Sequence, residues 1–297
     1  MENKIWILHR GFVEGFLHHT TQEISDYLKE SNINVEIYNY RAMKFCIENG
    51  EEVLYYQNEK ITELPKVAFA RGNCYKLMHF LHNKGVTIIN GFMNMVHMKD
   101  KWQTYLNLKQ QNILQPLTLN ANLPIPYSEV VEKLGEPFIL KYRFGAQGKS
   151  VYLIESEEQY LDTIKKFYFD DLILQQYIST SFGKDIRVFV VGDQVFGAVR
   201  DNSNNDFRAN LAQGGITYKF DIPERLMPVI KTICNTIDAE IVGLDFLFDN
   251  DDFTFCEANG NAGYKAFIAQ NIDMSKIIAD YICDKYFNEV DNGIKSN

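Results

Sequence analysis

Asp245, in VGLDFLFD, is followed twelve residues later by Glu257 and then by Asn259 in FTFCEANGN. These three side chains are oxygen donors of the kind that hold a hard divalent cation. Two apolar strands and the turn-like DNDD stretch between them carry all three. With the turn centred near Asp251, an antiparallel hairpin sets Asp245 directly opposite Glu257, with Cα atoms roughly 4.5 to 5.5 Å apart, and Asn259 shares that face. Two carboxylates this close repel unless a cation or proton lies between them. Oxygen ligands favour Mg²⁺ or Mn²⁺, usually completed by substrate phosphates. The bland alternative is two acidic residues on an exposed hairpin. The hydrophobic flanks Leu244, Phe246, Phe255 and Ala258 oppose it, because buried charges are paired or coordinate metal. The spacing therefore predicts a magnesium-nucleotide site.

Such a site needs cations for the phosphates. The segment Gly145-Ala146-Gln147-Gly148-Lys149-Ser150 invites comparison with a P-loop, which requires a glycine five positions before the Gly-Lys-Ser and a helix after it. Arg143 stands at that position and VYLIES alternates like a strand. The segment reads instead as a strand-loop-strand flap whose glycines let backbone N–H groups approach phosphate oxygens. Lys141, entering the flap, can set its ammonium on an α- or β-phosphate or reach solvent along its stem. Lys101 shares a helix with Lys99, Asp100 and Lys109, a pattern that reads as a solvated face. Arg187, Arg200 and Arg208 follow, and guanidinium offers a fork that matches phosphate oxygens. Arg208, in DFRAN with Asn210 and ahead of Gly214-Gly215, is the strongest candidate. Arg187 reads more readily as a surface ion pair, and Arg200 as readily one as the other.

The strand LILQQYI ends where a hinge between lobes can offer the backbone of Tyr177 and Ile178 to an adenine edge. Seven residues on, Asp185 can hold ribose hydroxyls. An ordinary core strand has the same composition. The six histidines form no HExxH motif and no Ser-His-Asp order, and none is assigned a catalytic role.

The elements that position these groups alternate. KIWIL, a helix over 20–30, NVEIYNY, KVAFARG, a helix over 73–83 and GVTIING imply a small parallel sheet covered by helices. A helix over 95–110, the strand FILKYRF, the glycine turn, SVYLIES, a helix over 157–167 and LILQQYI make a second region. The third holds DIRVFVVGDQVFGAVRD, two strands around Gly192-Asp193, then a helix over 223–239, the metal hairpin and a closing helix over 264–286. An α/β fold with α+β lobes is expected, divided as 1–94, 95–178 and 179–297.

At 297 residues, the chain is long enough for two or three compact lobes. A net charge of −9 argues against nucleic acid as a partner. Five scattered cysteines, none in a CxxC pair, read as reduced thiols in a cytoplasmic protein. No stretch approaches the roughly 20 apolar residues of a membrane span, and no export signal is visible. Homo-oligomerisation is left open.

HMKDKW, FILKYRFGAQGKSVYLIE, LQQYI, KDIRVFVVGD, DFRANLAQGG, VGLDFL and EANGNAG, in this order and spacing, resemble the ATP-grasp enzymes, and specifically the RimK-like α-L-glutamate ligases. The resemblance covers nearly the whole chain. It implies an ATP-grasp fold behind an N-terminal parallel-sheet domain. It also implies that Lys101 and Lys141 are ATP-phosphate lysines, that Gln147 belongs to the flap over the nucleotide, and that Gln176, Tyr177, Ile178 and Asp185 line the adenine and ribose. Arg208 and Asn210 become a second nucleotide contact, with Arg208 and Arg200 catalytic. Asp245, Glu257 and Asn259 become ligands of two Mg²⁺ or Mn²⁺ ions. Two departures stand out: Gln176 where the family usually has glutamate, and Gly260-Asn261-Ala262-Gly263 where it often has a Ser-Pro-Gly turn.

The implied activity is ATP-dependent ligation of a small-molecule carboxylate to an amine through an acylphosphate. The resemblance points to addition of an amino acid such as glutamate to an amino acid, a peptide or a protein terminus. Competing readings are a small-molecule phosphotransferase and a nucleotide-sensing module without turnover.

Overall fold

The computed structural model describes residues 3–11, 18–145, 148, 150–202, 206–209 and 215–288. The chain forms two compact units, 1–93 with 191–193 and 272–297, and 94–190 with 194–271. The expected lobe boundaries fall after 94 and after 178.

In the first unit, β1 (Lys4–His9) is an almost unbroken buried run, KIWILH, as a strand covered on both faces requires. It leads through α1 (His19–Glu30) to β2 (Asn34–Asn39). Three further strands, β3 (Met43–Glu48), β4 (Glu51–Tyr56) and β5 (Glu59–Lys60), form a separate antiparallel sheet in the order β3-β4-β5. The expected alternation passes over this sheet, although Asn49-Gly50, with φ of 52° and 84°, is the two-residue hairpin turn that joins β3 to β4. The chain returns through β6 (Val67–Arg71), α2 (Tyr75–Asn83) and β7 (Thr87–Ile88). The parallel order is β2-β1-β6-β7. The helix Met274–Cys283 packs on α1, where Tyr27 donates to Asp273 at 2.6 Å and Ser275 to Glu23 at 2.9 Å.

The second unit carries every residue of the candidate site. The single helix expected over 95–110 is two, α3 (Phe92–Lys99) and α4 (Lys101–Leu108). Asp100 breaks them: its backbone is extended and its carboxylate accepts from the N–H groups of Trp102 and Gln103 at 3.0 and 3.3 Å, an N-cap. Next come β8 (Thr118–Leu119), α5 (Tyr127–Leu134), β9 (Phe138–Tyr142), β10 (Val151–Ile154), α6 (Glu157–Ile164) and β11 (Leu172–Gln176). The four strands form an antiparallel sheet in the order β10-β9-β11-β8. Alternation sorts its two faces. Phe138, Leu140, Leu172 and Leu174 pack with Val130, Leu134 and Tyr160 in a core. The other face carries Ile139, Lys141, Ile173 and Gln175, with Ile173 opposite Lys141 and Gln175 opposite Ile139.

A five-stranded sheet follows, built from β12 (Lys184–Val191), β13 (Gln194–Asp201), β14 (Ile216–Lys219), β15 (Ile241–Asp249) and β16 (Asp252–Asn259), in the order β14-β13-β12-β15-β16. Helix α7 (Met227–Ile237), with a proline in its first turn, lies against α4. The expected closing helix divides: α8 (Lys265–Ile268) ends the second unit, and Met274–Cys283 belongs to the first. Among the described residues no helix is long and apolar enough to cross a membrane.

Candidate functional site

Strands β15 and β16 pair as an antiparallel hairpin in which Asp245 stands opposite Glu257 and Gly243 opposite Asn259. The expected pairing of the carboxylates is thus present, and a bulge at Cys256 produces it. Asp245 is 3% exposed, and its charge is balanced by arginines. Arg187 grips it with Nε to Oδ1 at 2.5 Å and Nη2 to Oδ2 at 2.8 Å, and Arg200 Nη2 lies 2.9 Å from Oδ2. Burial works to raise the Asp245 carboxyl, but the two guanidiniums outweigh it and hold it below its usual range.

Arg187 is therefore buried and paired, not the surface ion pair its composition suggested. On β12, in the middle of the sheet, an unpaired charge would carry an uncompensated desolvation penalty. The apolar run that encloses it in DIRVFVV was the signal in the sequence. Arg200 also holds Asp185, at 2.7 and 2.5 Å. Burial pushes the Asp185 carboxyl up to about 6, against the pull of Arg200. Asp185, expected at the ribose, thus has both oxygens on Arg200, and Arg200 lies between two carboxylates.

Lys101 is buried, so the solvated-face reading is corrected. Its Nζ lies 3.4 Å from Glu257 Oε2 and donates to the Gly145 carbonyl at 2.9 Å, a carbonyl that Lys99 Nζ also reaches at 3.4 Å. Burial, and then the charge of Lys101, pull the Lys99 ammonium below its usual range. Lys141 is buried too, with Nζ 3.6 Å from Cys256 Sγ, so its head does not reach solvent. Lys101 and Lys141 thus meet the adjacent bulge residues Glu257 and Cys256.

The flap is tied down at several points. Arg143, at its base, donates through Nε to Asp100 Oδ1 at 3.1 Å and pairs through Nη2 with Asp100 Oδ2. Arg208 pairs with Asp206 at 2.5 Å and donates through Nη1 to the Gly148 carbonyl at 2.9 Å, which links the DFRAN loop to the flap. Between Lys101, Glu257, Tyr142, Gly145 and Gly148 lies a cavity of about 20 Å³, the volume of a single water. Gln147 and Asn210 lie outside the described residues. Gln176 is exposed, Tyr177 half-buried and Ile178 buried, and the Gln176 N–H donates to Leu117 O at 2.9 Å.

Whether these side chains suit a divalent cation turns on their remaining acceptor capacity. The three arginine contacts to Asp245 occupy three of about four carboxylate lone-pair positions. Glu257 is partly exposed beside it, and Asn259 Oδ1 accepts one bond, from Asn261 N at 3.0 Å. Two carboxylates and an amide oxygen with capacity left suit a hard cation. Among the described residues no three His, Cys, Asp or Glu side chains converge as metal ligands.

A model of the RimK-like ATP-grasp domain matches residues 98–282. N-acetylaspartylglutamate synthase A from Mus musculus is 31% identical over 212 residues, 69% of this chain and 56% of that protein. The chain thus matches little more than half of that relative's length. A probable alpha-L-glutamate ligase from Legionella pneumophila is 28% identical over 211 residues, 69% of this chain and 70% of that protein. In fold, the chain is similar to the Chryseobacterium gregarium RiPP-associated ATP-grasp ligase, seen with ADP and a leader and core peptide. The TM-score is 0.70 at 17% identity, covering 96% of this chain and 97% of that one.

Proposed function

The chain belongs to the RimK-like ATP-grasp family, and on that premise we propose that it is an ATP-dependent carboxylate-amine ligase that forms an amide or peptide bond and releases ADP and phosphate. The observation that carries this reading is the buried Lys101 ammonium 3.4 Å from Glu257, with the arginine-held Asp245 opposite that carboxylate. Cations and oxygen donors alternate there as a metal-bridged polyphosphate requires.

In this reading Lys101 and Lys141 receive ATP phosphates, and the 176–178 backbone meets the adenine edge. Asp245, Glu257 and Asn259 would hold Mg²⁺ or Mn²⁺, which when bound supplies charge neutralisation at the phosphate oxygens. Arg200 orients Asp245, and Arg208 neutralises charge on the transferring phosphoryl group. The substrate carboxylate attacks the γ-phosphorus, the bond to ADP breaks, and an acylphosphate forms. The amine then attacks the acyl carbon, phosphate leaves, and the amine proton passes to solvent. The flap around Gly145 to Gly148 would close over the nucleotide and keep water from the acylphosphate.

The carboxylate donor is an amino acid such as glutamate, and the acceptor an amino acid, a peptide or a protein terminus. The charge of −9 favours a neutral or cationic acceptor. The free cysteines fit a cytoplasmic setting. The test is ADP and phosphate release from Mg-ATP across a panel of amino acids and amines, with mass spectrometry of the products. Phosphate release coupled to an amide-mass product, abolished in Glu257→Ala, supports the ligase. ADP formed with a phosphorylated product and no free phosphate would overturn it.

A further inference from the structure

Strand β16 is an outer strand of its sheet, and among the described residues no further strand pairs with its free side. Backbone groups on such an edge take their partners from elsewhere. Helix α4 and the chain that follows it supply two of them, both at the bulge. The Phe255 N–H donates to Leu114 O at 2.8 Å, and the Tyr105 hydroxyl donates to Cys256 O at 2.5 Å. Cys256 is the extra residue, between the pairs Phe246–Phe255 and Asp245–Glu257. An extra residue leaves the ladder locally unpaired, and a slip of one position would turn Glu257 away from the site.

Helix α4 thus meets both bulge residues. Lys101 and Tyr105 stand four residues apart, on one face of the helix. Lys101 Nζ lies 3.4 Å from the Glu257 carboxylate, and one turn on Tyr105 holds the carbonyl of the residue before it. Tyr105 is 5% exposed, and its ring meets Phe255 edge to face with centroids 6.2 Å apart. Burial holds its hydroxyl well above the usual tyrosine range, so it stays a donor. The single hydrogen of that hydroxyl is committed to main chain, next to a side chain read above as a metal ligand.

We propose that Tyr105 is a positioning residue for Glu257: its hydroxyl pins the Cys256 bulge in the register that presents the Glu257 carboxylate to a divalent cation beside Asp245. The proposal rests on the reading of Glu257 as a metal ligand and deepens it. Partners that orient a ligand in this way act on metal affinity rather than on the rest of the site.

The experiment compares the intact wild type with Tyr105→Phe, which keeps the ring and its pair with Phe255 and removes only the hydroxyl. Calorimetry measures the affinity for a non-hydrolysable ATP analogue, once in excess Mn²⁺ and once in EDTA. In Mn²⁺ the variant should bind about tenfold more weakly than the wild type, the low end of the effect of a ligand-orienting partner. In EDTA the two should agree within about twofold, because the lysines that receive the phosphates are untouched. In a Glu257→Gln background, Tyr105→Phe should change the Mn²⁺ value by less than about twofold, since the carboxylate through which it acts is gone. Circular dichroism and melting establish that each variant is folded. A folded Tyr105→Phe with the wild-type affinity in Mn²⁺ would overturn the proposal. An equal loss in Mn²⁺ and in EDTA overturns it as well and makes the hydroxyl a packing group. Losses that multiply in the double variant overturn it too, because Tyr105 then does not act through Glu257. If Tyr105→Phe does not fold, Tyr105→Met takes its place under the same criteria. A wild type that binds the analogue equally with and without Mn²⁺ defeats the metal reading of Glu257 and takes the proposal with it, an outcome distinct from all the others.

Discussion

Asp245 faces Glu257 because Cys256 is a bulge. Counted outward from the two-residue turn at Asn250-Asp251, regular pairing runs Asp249 with Asp252 to Phe246 with Phe255, and would next set Asp245 against Cys256 and Leu244 against Glu257. The extra residue advances the register by one. Phe246 and Phe255 remain an edge-to-face pair at 5.8 Å, while Cys256 and Glu257 both meet lysines, Lys141 and Lys101. One inserted residue thus converts a strand that would bury its glutamate beside Leu244 into one that offers it to the site.

The two facing carboxylates have different surroundings, and their removal should separate stability from activity. Asp245→Asn leaves Arg187 and Arg200 with one buried counterion fewer and should destabilise the protein by about 3–5 kcal/mol. Glu257→Gln acts on a partly exposed side chain at a 3.4 Å ion pair. It should cost less than about 1 kcal/mol and lower turnover by about 10²-fold or more. Urea denaturation and ADP release measure the two. Equal destabilisation by both variants would contradict the assignment.

How much of this was legible in the sequence depended on whether the signal was local. The hairpin was readable because apolar flanks and a turn bracketed the acids, although the register came out right only because the bulge compensated for a turn centred half a residue earlier. The parallel sheet was readable from buried runs such as KIWILH. The β3–β5 sheet lies outside the βα alternation that organises the rest of the first unit, although Asn49-Gly50 and the alternation of Met43, Phe45 and Ile47 with Lys44, Cys46 and Glu48 mark its hairpin. Lys101 looked solvated because its helix is rich in charge, and only the tertiary placement of Gly145 and Glu257 buries it.

Asp100 performs two tasks that a pair of substitutions can divide. Its carboxylate caps α4 and holds Arg143 at the flap base. Asp100→Ala should destabilise by about 1–2 kcal/mol through the lost cap and raise the KM for ATP roughly tenfold as the loop bearing Gly145 loosens. Asp100→Asn retains a capping oxygen and should recover most of the stability but not the KM. Melting curves and steady-state kinetics check both, and a KM restored by asparagine would show that the Arg143 contact does not matter to nucleotide binding.

Alkaline pH should destabilise the first unit through Cys74. Burial pushes this thiol up to about 12 from 9.0, so between those values the unfolded chain has released a proton that the folded one retains. The contribution is fully present below pH 9 and is lost as pH rises toward 12, by up to about 1.4 kcal/mol per pH unit. Urea midpoints at pH 8, 9 and 10 should fall less steeply in Cys74→Ala than in the wild type. Parallel slopes would show that the thiol is not the group responsible.

Gly260 stands where the family often carries the serine of a Ser-Pro-Gly turn, and packing accounts for the difference. A Cβ added there would lie 2.4 Å from Met95 Sδ and 2.7 Å from Met98 Cε, so α3 fills the volume that a side chain would need. Gly260→Ser alone should destabilise by about 1–3 kcal/mol through overpacking. Met95→Ala alone should cost about 2–5 kcal/mol as a cavity. In the double variant the serine enters the space that the methionine leaves, so the combined loss should fall short of the sum by about 1 kcal/mol or more. Denaturation of all four proteins measures that coupling. If the losses simply add, Met95 is not what keeps a side chain out of this turn; if they couple as expected, the glycine and the methionine are one packing solution, and a serine can return to the turn only where α3 gives up that sulfur.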